Sequence, residues 1–332
     1  MTQRTYSATA SSRGISIQRF LNERTTPALG AAALLIVLII VDVLMQPGLL
    51  SVFQLGLMLQ TALTAILIAA AQTFAVVVRG LDLSVGGVLA LGSVLCSTFL
   101  DADAAQLAWR LPVVIVLGAV AGTVNGLLIA VLKVQPVVGT LATWSIFDGI
   151  ALLILPTAGG KPPAVLSDFT LGGIGDFSNS FIILIVLLIA WGALKRTRFG
   201  THLYAVGSDE KRAQLNGVPI TRVKVLAYTA SGILSIIAGI YLASTTASGD
   251  PTIGDPYLLT SIVAVVVGGT SLLGGEGGVG LTVLGALTLT VLTDIITANN
   301  LDTSISIVAS SVLLLFAVAV RQILQRRRKV RL

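Results

Sequence analysis

Long apolar runs separated by short clusters of Gly, Pro, Asp and basic residues organise the chain from end to end. Ten segments are long or nearly long enough to cross a bilayer core, which takes about 20 apolar helical residues. They cover 27–46, 53–78, 84–100, 111–132, 136–155, 177–194, 223–245, 257–274, 277–297 and 302–320. Three of them, 84–100, 177–194 and 257–274, are short, as expected of tilted, broken or re-entrant helices. The pattern predicts an all-α, polytopic transmembrane bundle of about ten spanning helices.

The basic residues give the bundle a direction, because Lys and Arg collect on the cytoplasmic side of membrane proteins. With the N-terminus inside, Arg4, Arg13, Arg19 and Arg24, then Arg79 and Lys133, then Lys195 to Lys224, and finally Arg321 to Arg331 all fall on one side. Only Arg110 and Lys161 fall on the other, together with Asp101, Asp103, Asp168, Asp176, Asp250, Asp255 and Asp302. A single miscounted helix would scatter the later charges across both faces. Both termini are therefore expected in the cytoplasm. A polar leader 1–26 precedes a transmembrane domain 27–320, whose longest cytoplasmic loop is 195–222, and a basic tail 321–332 follows. The leader lacks the short basic-then-apolar order of a signal peptide.

Composition agrees: 55% of the residues are hydrophobic and 11% charged, against about a quarter charged in soluble domains, and the mean hydropathy is +0.96. The net charge of +6 sits largely in juxtamembrane positions, where it serves attraction to anionic lipid rather than nucleic-acid binding.

The chain carries little catalytic chemistry. Cys96 is the one cysteine and reads as a small residue facing lipid or another helix; His202 is the one histidine and has no partner by spacing. No paired carboxylates, Ser/His/Asp order or Cys/His pair appears. The glycine-rich stretch Gly268-Gly269-Thr270-Ser271-Leu272-Leu273-Gly274-Gly275 lacks the Lys that must follow the last glycine of a phosphate-binding loop. It reads as a turn with close backbone packing. Gly80 and Gly86 read as turn residues as well, and the chain is not expected to be an enzyme.

Two segments carry mechanical or binding potential. Gly207 to Pro219 reads as a short capped helix: Ser208 at the N-cap, Asp209 and Glu210 on the first turn where the helix dipole favours acid, then Lys211, Arg212, Ala213 and Leu215, with Gly217 in the left-handed position and Pro219 as the stop. Tethered at both ends to spanning helices, it is a handle through which a partner moves the bundle; a plain connector is the other reading. The stretch Arg79 to Gly87 places Asp82 and Ser84 between two apolar runs, where a carboxylate is costly and usually functional. Asp82 capping the next helix is the alternative. Asn125, Thr140, Trp144 and Asp148 join them as path residues, since an aromatic face beside hydrogen-bonding groups suits a polyol. Gly118, Gly122 and Gly126 permit close helix contact. A weak internal repeat pairs Ala75–Gly80 with Ala264–Gly269, both closing helices of the same direction.

Several segments together resemble the ribose-type sugar permeases of bacterial ABC importers. They are Gly80-Leu81-Asp82-Leu83-Ser84-Val85-Gly86, Asn125-Gly126, Thr140-Leu141-Ala142-Thr143, Phe199-Gly200, Ala205-Val206-Gly207, Ser231-Gly232, Ala238-Gly239 and the run Gly268 to Gly275. The resemblance runs from about residue 30 to 321. It implies a dimerising permease, with itself or a second permease, in the bacterial inner membrane. It also implies an ABC ATPase subunit that holds ATP and Mg, an extracytoplasmic solute-binding protein, no cofactor on this chain, and helix 208–217 as the coupling helix. Arg79, Asp148, the stretch Tyr257 to Thr260 and Glu276 depart from the usual pattern. An ion-coupled secondary transporter using Asp82 or Asp148 is the competing reading.

Overall fold

The computed structural model describes residues 12–46, 48–175 and 177–299, together with 305, 308–313 and 315. The basic tail 321–332 and most of the tenth expected segment lie outside the described residues, as do residues 1–11.

Each of the first nine apolar segments coincides with one helix. They are α1 (Ser12–Met45), α2 (Val52–Val77), α3 (Val85–Thr98), α4 (Ala104–Ala130) and α5 (Pro136–Ile154). After a short surface helix, α6 (Ala164–Leu171), and a hairpin of β1 (Gly173–Ile174) and β2 (Phe177–Ser178), the chain continues with α7 (Asn179–Lys195). Two small helices, α8 (Arg198–Ser208) and α9 (Glu210–Leu215), lead into α10 (Ile220–Thr246), α11 (Gly254–Val267) and α12 (Val279–Ala298). By length and composition five of these helices suffice to cross a membrane, or six if α7 and α8, bent by 76° at their junction, form one broken span. Helix α1 starts well before the apolar run, within the stretch read as a polar leader.

Local chemistry sets the helix starts. Ser51 accepts from the Gln54 N–H ahead of α2, Asp103 from the Gln106 N–H ahead of α4, and Pro136 opens α5 at a position where its missing N–H is not needed.

Helix α10 is the hub, packed against α2, α3 and α4. Its approach to α4 depends on a ridge of glycines four residues apart. A methyl on Gly122 would stand 2.1 Å from the Tyr228 carbonyl oxygen, and one on Gly126 would stand 2.7 Å from the Val225 Cα. Backbones meet there without side chains between them, which is how helices gain dispersion energy where no hydrophobic effect drives them together. The far side of α4 is also apolar: Val116, Val120, Val124 and Leu127 are exposed. A helix apolar all round belongs in lipid or in a core. A second group packs α11, α12, α1 and α2. Cys96 is buried against Ser244 of α10, facing a helix.

Candidate functional site

Three assemblies hold the residues singled out from the sequence. The first is a buried polar knot. The connection from α2 to α3 brings Asp82 beneath the start of α3, where one carboxylate oxygen accepts from the Ser84 backbone N–H (3.1 Å) and hydroxyl (2.6 Å). The other accepts from the Ser231 hydroxyl of α10 at 2.8 Å. Asn125 of α4 donates to the Ser84 hydroxyl oxygen (2.6 Å), and Thr143 of α5 donates to the Asn125 carbonyl oxygen (2.6 Å). Thr140 of α5 accepts from the Leu83 N–H at 3.0 Å and donates to the Pro136 carbonyl. Every one of these side chains is buried. The knot thus ties α3, α4, α5 and α10 to one loop, and its donors and acceptors are spent on each other. Ser231 closes the carboxylate's second oxygen across a sequence separation of 149 residues; the Ser231-Gly232 pair stands out in the sequence, but nothing there couples it to Asp82.

The second assembly lies beside the knot, where the first turns of the short helices α3 and α11 cross. A methyl on Gly254 would stand 2.1 Å from the Gly86 carbonyl oxygen. Gly86, expected in a turn, is in the first turn of α3, and its place is explained by this crossing. Gly87 lies against Trp144 and Phe147 of α5. The Trp144 indole N–H is buried with no partner among the described residues. One turn along α5, Asp148 is half-buried and within electrostatic reach of Asp255 on α11. An unpaired N–H donor, an aromatic ring and two carboxylates therefore surround one junction of α3, α5 and α11. Short helices meeting end to end inside a transporter bundle are a common setting for a solute site. From the sequence Asp255 counts only among the acids of the outer face and Gly254 is not marked, because each is brought to this junction by the start of α11 at Gly254 and not by any motif.

The third assembly is at the end of the bundle that carries Arg79, α8 and α9. The expected helix 208–217 is observed as α9, but its N-cap is Asp209, which accepts from the Arg212 N–H at 3.0 Å. Ser208 instead ends α8, its hydroxyl donating to the Tyr204 carbonyl. The shift of one residue follows from α8 itself, whose Phe199, Leu203 and Val206 form an apolar stripe that carries the helix through Gly207. The Arg212 amide and charge hold the Asp209 carboxyl below the usual carboxylate range. Glu210 pairs with Lys224 of α10 at 2.7 Å, and Ala213 is buried while Lys211, Arg212 and Leu215 are exposed. Gly217 takes the expected left-handed conformation, with φ +77°. Pro219 is the N-cap of α10.

The glycine run packs against this handle. Gly268 caps α11, and Gly269, Gly274 and Gly275 all have positive φ. The Gly275 N–H donates to the Val77 carbonyl at the end of α2 (3.0 Å), and the Tyr204 hydroxyl donates to the Gly277 carbonyl (2.7 Å). Gly80 lies under the Tyr228 hydroxyl, where a methyl group has no room. Among the described residues no group of three or more His, Cys, Asp or Glu is placed to hold a metal ion.

A family model described as the permease component of the branched-chain amino acid transport system matches residues 54–319. The ribose import permease protein RbsC of Haemophilus influenzae is 35% identical, over 86% of this chain and 90% of that protein. RbsC of Bacillus subtilis is also 35% identical, over 86% and 89%. The fructose import permease protein FrcC of Rhizobium meliloti is 31% identical, over 92% and 88%. No solved structure matches the chain.

Proposed function

Because the chain belongs to the permease-component family of the branched-chain amino acid transport system, we propose that it is the membrane subunit of an ATP-binding-cassette importer, carrying a sugar or related small polar solute. The chain is a multi-pass helical membrane protein, and its relatives along nearly its whole length are import permeases named for ribose and fructose. The observation that carries the reading is the capped handle α8–α9, docked on the ends of α2 and α10 and on the glycine run after α11, and presenting exposed Lys211, Arg212 and Leu215. Such a surface suits a partner ATPase, which would hold ATP and Mg. Asp209 through Gly217 form the coupling element, and Ser208 belongs to the helix that supports it.

Ten spans with both termini cytoplasmic in a bacterial inner membrane account for the distribution of basic residues. A dimeric arrangement and delivery by an extracytoplasmic binding protein complete the scheme. The solute path is assigned to the junction of α3, α5 and α11. There Trp144 offers a flat face and an N–H donor, and Asp148 and Asp255 accept from hydroxyl groups, a combination suited to a neutral polyol. Asp82, Ser84, Asn125 and Thr140 hold the walls of that path in register.

The test uses the complex of this chain with its ATPase subunit and binding protein. Ala213→Glu should uncouple solute-stimulated ATP hydrolysis from uptake while the bundle stays folded. Unchanged stimulation and uptake in that variant would refute the handle. Cysteines placed at Ser208 and Ser248 should label from opposite faces of intact cells, and labelling from the same face would overturn the topology.

A further inference from the structure

Arg79 sits in the left-handed region, with φ +64°, a conformation that the Cβ of a non-glycine residue disfavours. The backbone at this point has no need of a side chain. At the end of α2 the Arg79 N–H donates to the Val76 carbonyl and the Gly80 N–H to the Ala75 carbonyl. At the end of α11 the same two bonds recur, from Gly269 to Val266 and from Thr270 to Val265, with glycine in the left-handed place. The two turns match one residue out of step with the sequence repeat. One uses the residue that takes this conformation freely; the other uses arginine.

What the arginine adds is visible in its contacts. Its Nε donates to the Gly207 carbonyl at 2.6 Å, and a terminal guanidinium nitrogen donates to the Ser208 carbonyl. These are carbonyls of the last turn of α8, which lack partners within their own helix and sit at its negative end. Arg79 therefore caps, from another element, the helix that leads into the handle. Three residues further along the same connection is Asp82. Between them the Leu81 carbonyl receives the Tyr228 hydroxyl of α10 at 3.5 Å, and just after Asp82 the Leu83 N–H donates to the Thr140 hydroxyl of α5. The connection is thus anchored to α8 at one end and to α4, α5 and α10 at the other.

We propose that Arg79 is a positioning residue that transmits movement of α8–α9 through the 78–84 connection to the polar knot, and so to Trp144 and Asp148 on α5. This rests on the reading of α8–α9 as the ATPase-coupling element. A plain structural cap would raise stability and nothing else. A transmitting one sets how much solute moves per ATP.

The variant that separates the two is Arg79→Gly, which relieves the left-handed strain and removes only the side chain. In proteoliposomes carrying the whole complex, its ATP hydrolysed per solute imported should rise about tenfold, within the usual span of coupling free energies. Subunit co-purification and unfolding temperature should stay at the wild-type level. Arg79→Lys, which keeps the charge but offers one nitrogen for two carbonyls, should fall between. A wild-type ATP-to-solute ratio in Arg79→Gly would overturn the proposal, as would a raised ratio accompanied by an equal loss of folded complex. If the wild-type complex itself shows no ATP-driven uptake, the coupling reading has failed rather than the role of Arg79.

Discussion

Replacing Asp82 by alanine removes one acceptor group from three buried donors: the Ser84 N–H, the Ser84 hydroxyl and the Ser231 hydroxyl. A buried donor left unpaired costs about 1–3 kcal/mol. The Ser231 hydroxyl can turn toward a carbonyl of its own helix, so the sum is less than three full penalties. A loss of about 3–5 kcal/mol is expected, equivalent to roughly 6–10 °C at about 2 °C per kcal/mol for a chain of this size. Asp82→Asn keeps an oxygen toward Ser84 and turns an amide toward Ser231, whose hydroxyl can accept instead of donate. Its cost should be about 1 kcal/mol. The chain carries its own reporter for this measurement: Cys96 is the only cysteine in the sequence and is fully buried. A thiol-reactive fluorogenic dye in detergent solution therefore reads unfolding at a single site. Stability should fall in the order wild type, then Asp82→Asn, then Asp82→Ala, and in the Asp82→Ala background Ser231→Ala should add little. An unchanged unfolding temperature in Asp82→Ala would refute the knot as a structural tie. So would an Asp82→Asn variant less stable than Asp82→Ala.

Gly122→Ala should lower the unfolding temperature in the same dye assay by the equivalent of about 2–3 kcal/mol, because overpacking against the Tyr228 carbonyl forces α4 and α10 apart. Gly149→Ala, with open space around the added methyl, should be neutral or stabilising by up to about 1 kcal/mol. Asp148→Asn should raise the solute concentration for half-maximal uptake about tenfold at an unchanged unfolding temperature, a hydrogen bond to a charged group being worth about 1.5–3 kcal/mol. The cap of α9 should weaken on acidification. The Asp209 carboxyl is held below its ordinary range in the folded chain, so its contribution is present above the unfolded value and is lost as pH falls through the folded one. Hydrogen-exchange protection of residues 210–215 should therefore drop on acidification below the ordinary aspartate range in the wild type, and be low and flatter with pH in Asp209→Ala.

Much of this architecture is legible in one dimension because a bilayer imposes simple rules. Apolar runs marked the nine helices α1–α5, α7 and α10–α12. The handle 208–217 was visible from its punctuation, yet its cap fell one residue late. The preceding helix carries an apolar stripe at Phe199, Leu203 and Val206, and that stripe draws Ser208 into α8. Asp82 stood out as a carboxylate between apolar runs, and Ser231 only as half of the Ser231-Gly232 pair, with no sign that the two meet. A serine in a spanning helix is unremarkable until folding sets it opposite a carboxylate. The glycine crossing of Gly86 and Gly254 was hidden for a related reason: short helices are visible in the sequence, but where their ends meet is decided by how the neighbouring helices pack. The left-handed turn at Arg79 was masked because arginine gives no signal for that conformation.

The central claim is that this chain conducts solute under the control of a separate ATPase. Solute uptake should therefore be measured in sealed proteoliposomes containing this chain, its ATPase subunit and the solute-loaded binding protein, with ATP supplied or withheld and with or without an imposed proton or sodium gradient. Uptake that requires ATP and the ATPase subunit and ignores the gradients is the result expected here. Uptake by this chain alone, driven by an ion gradient without ATP, would contradict it.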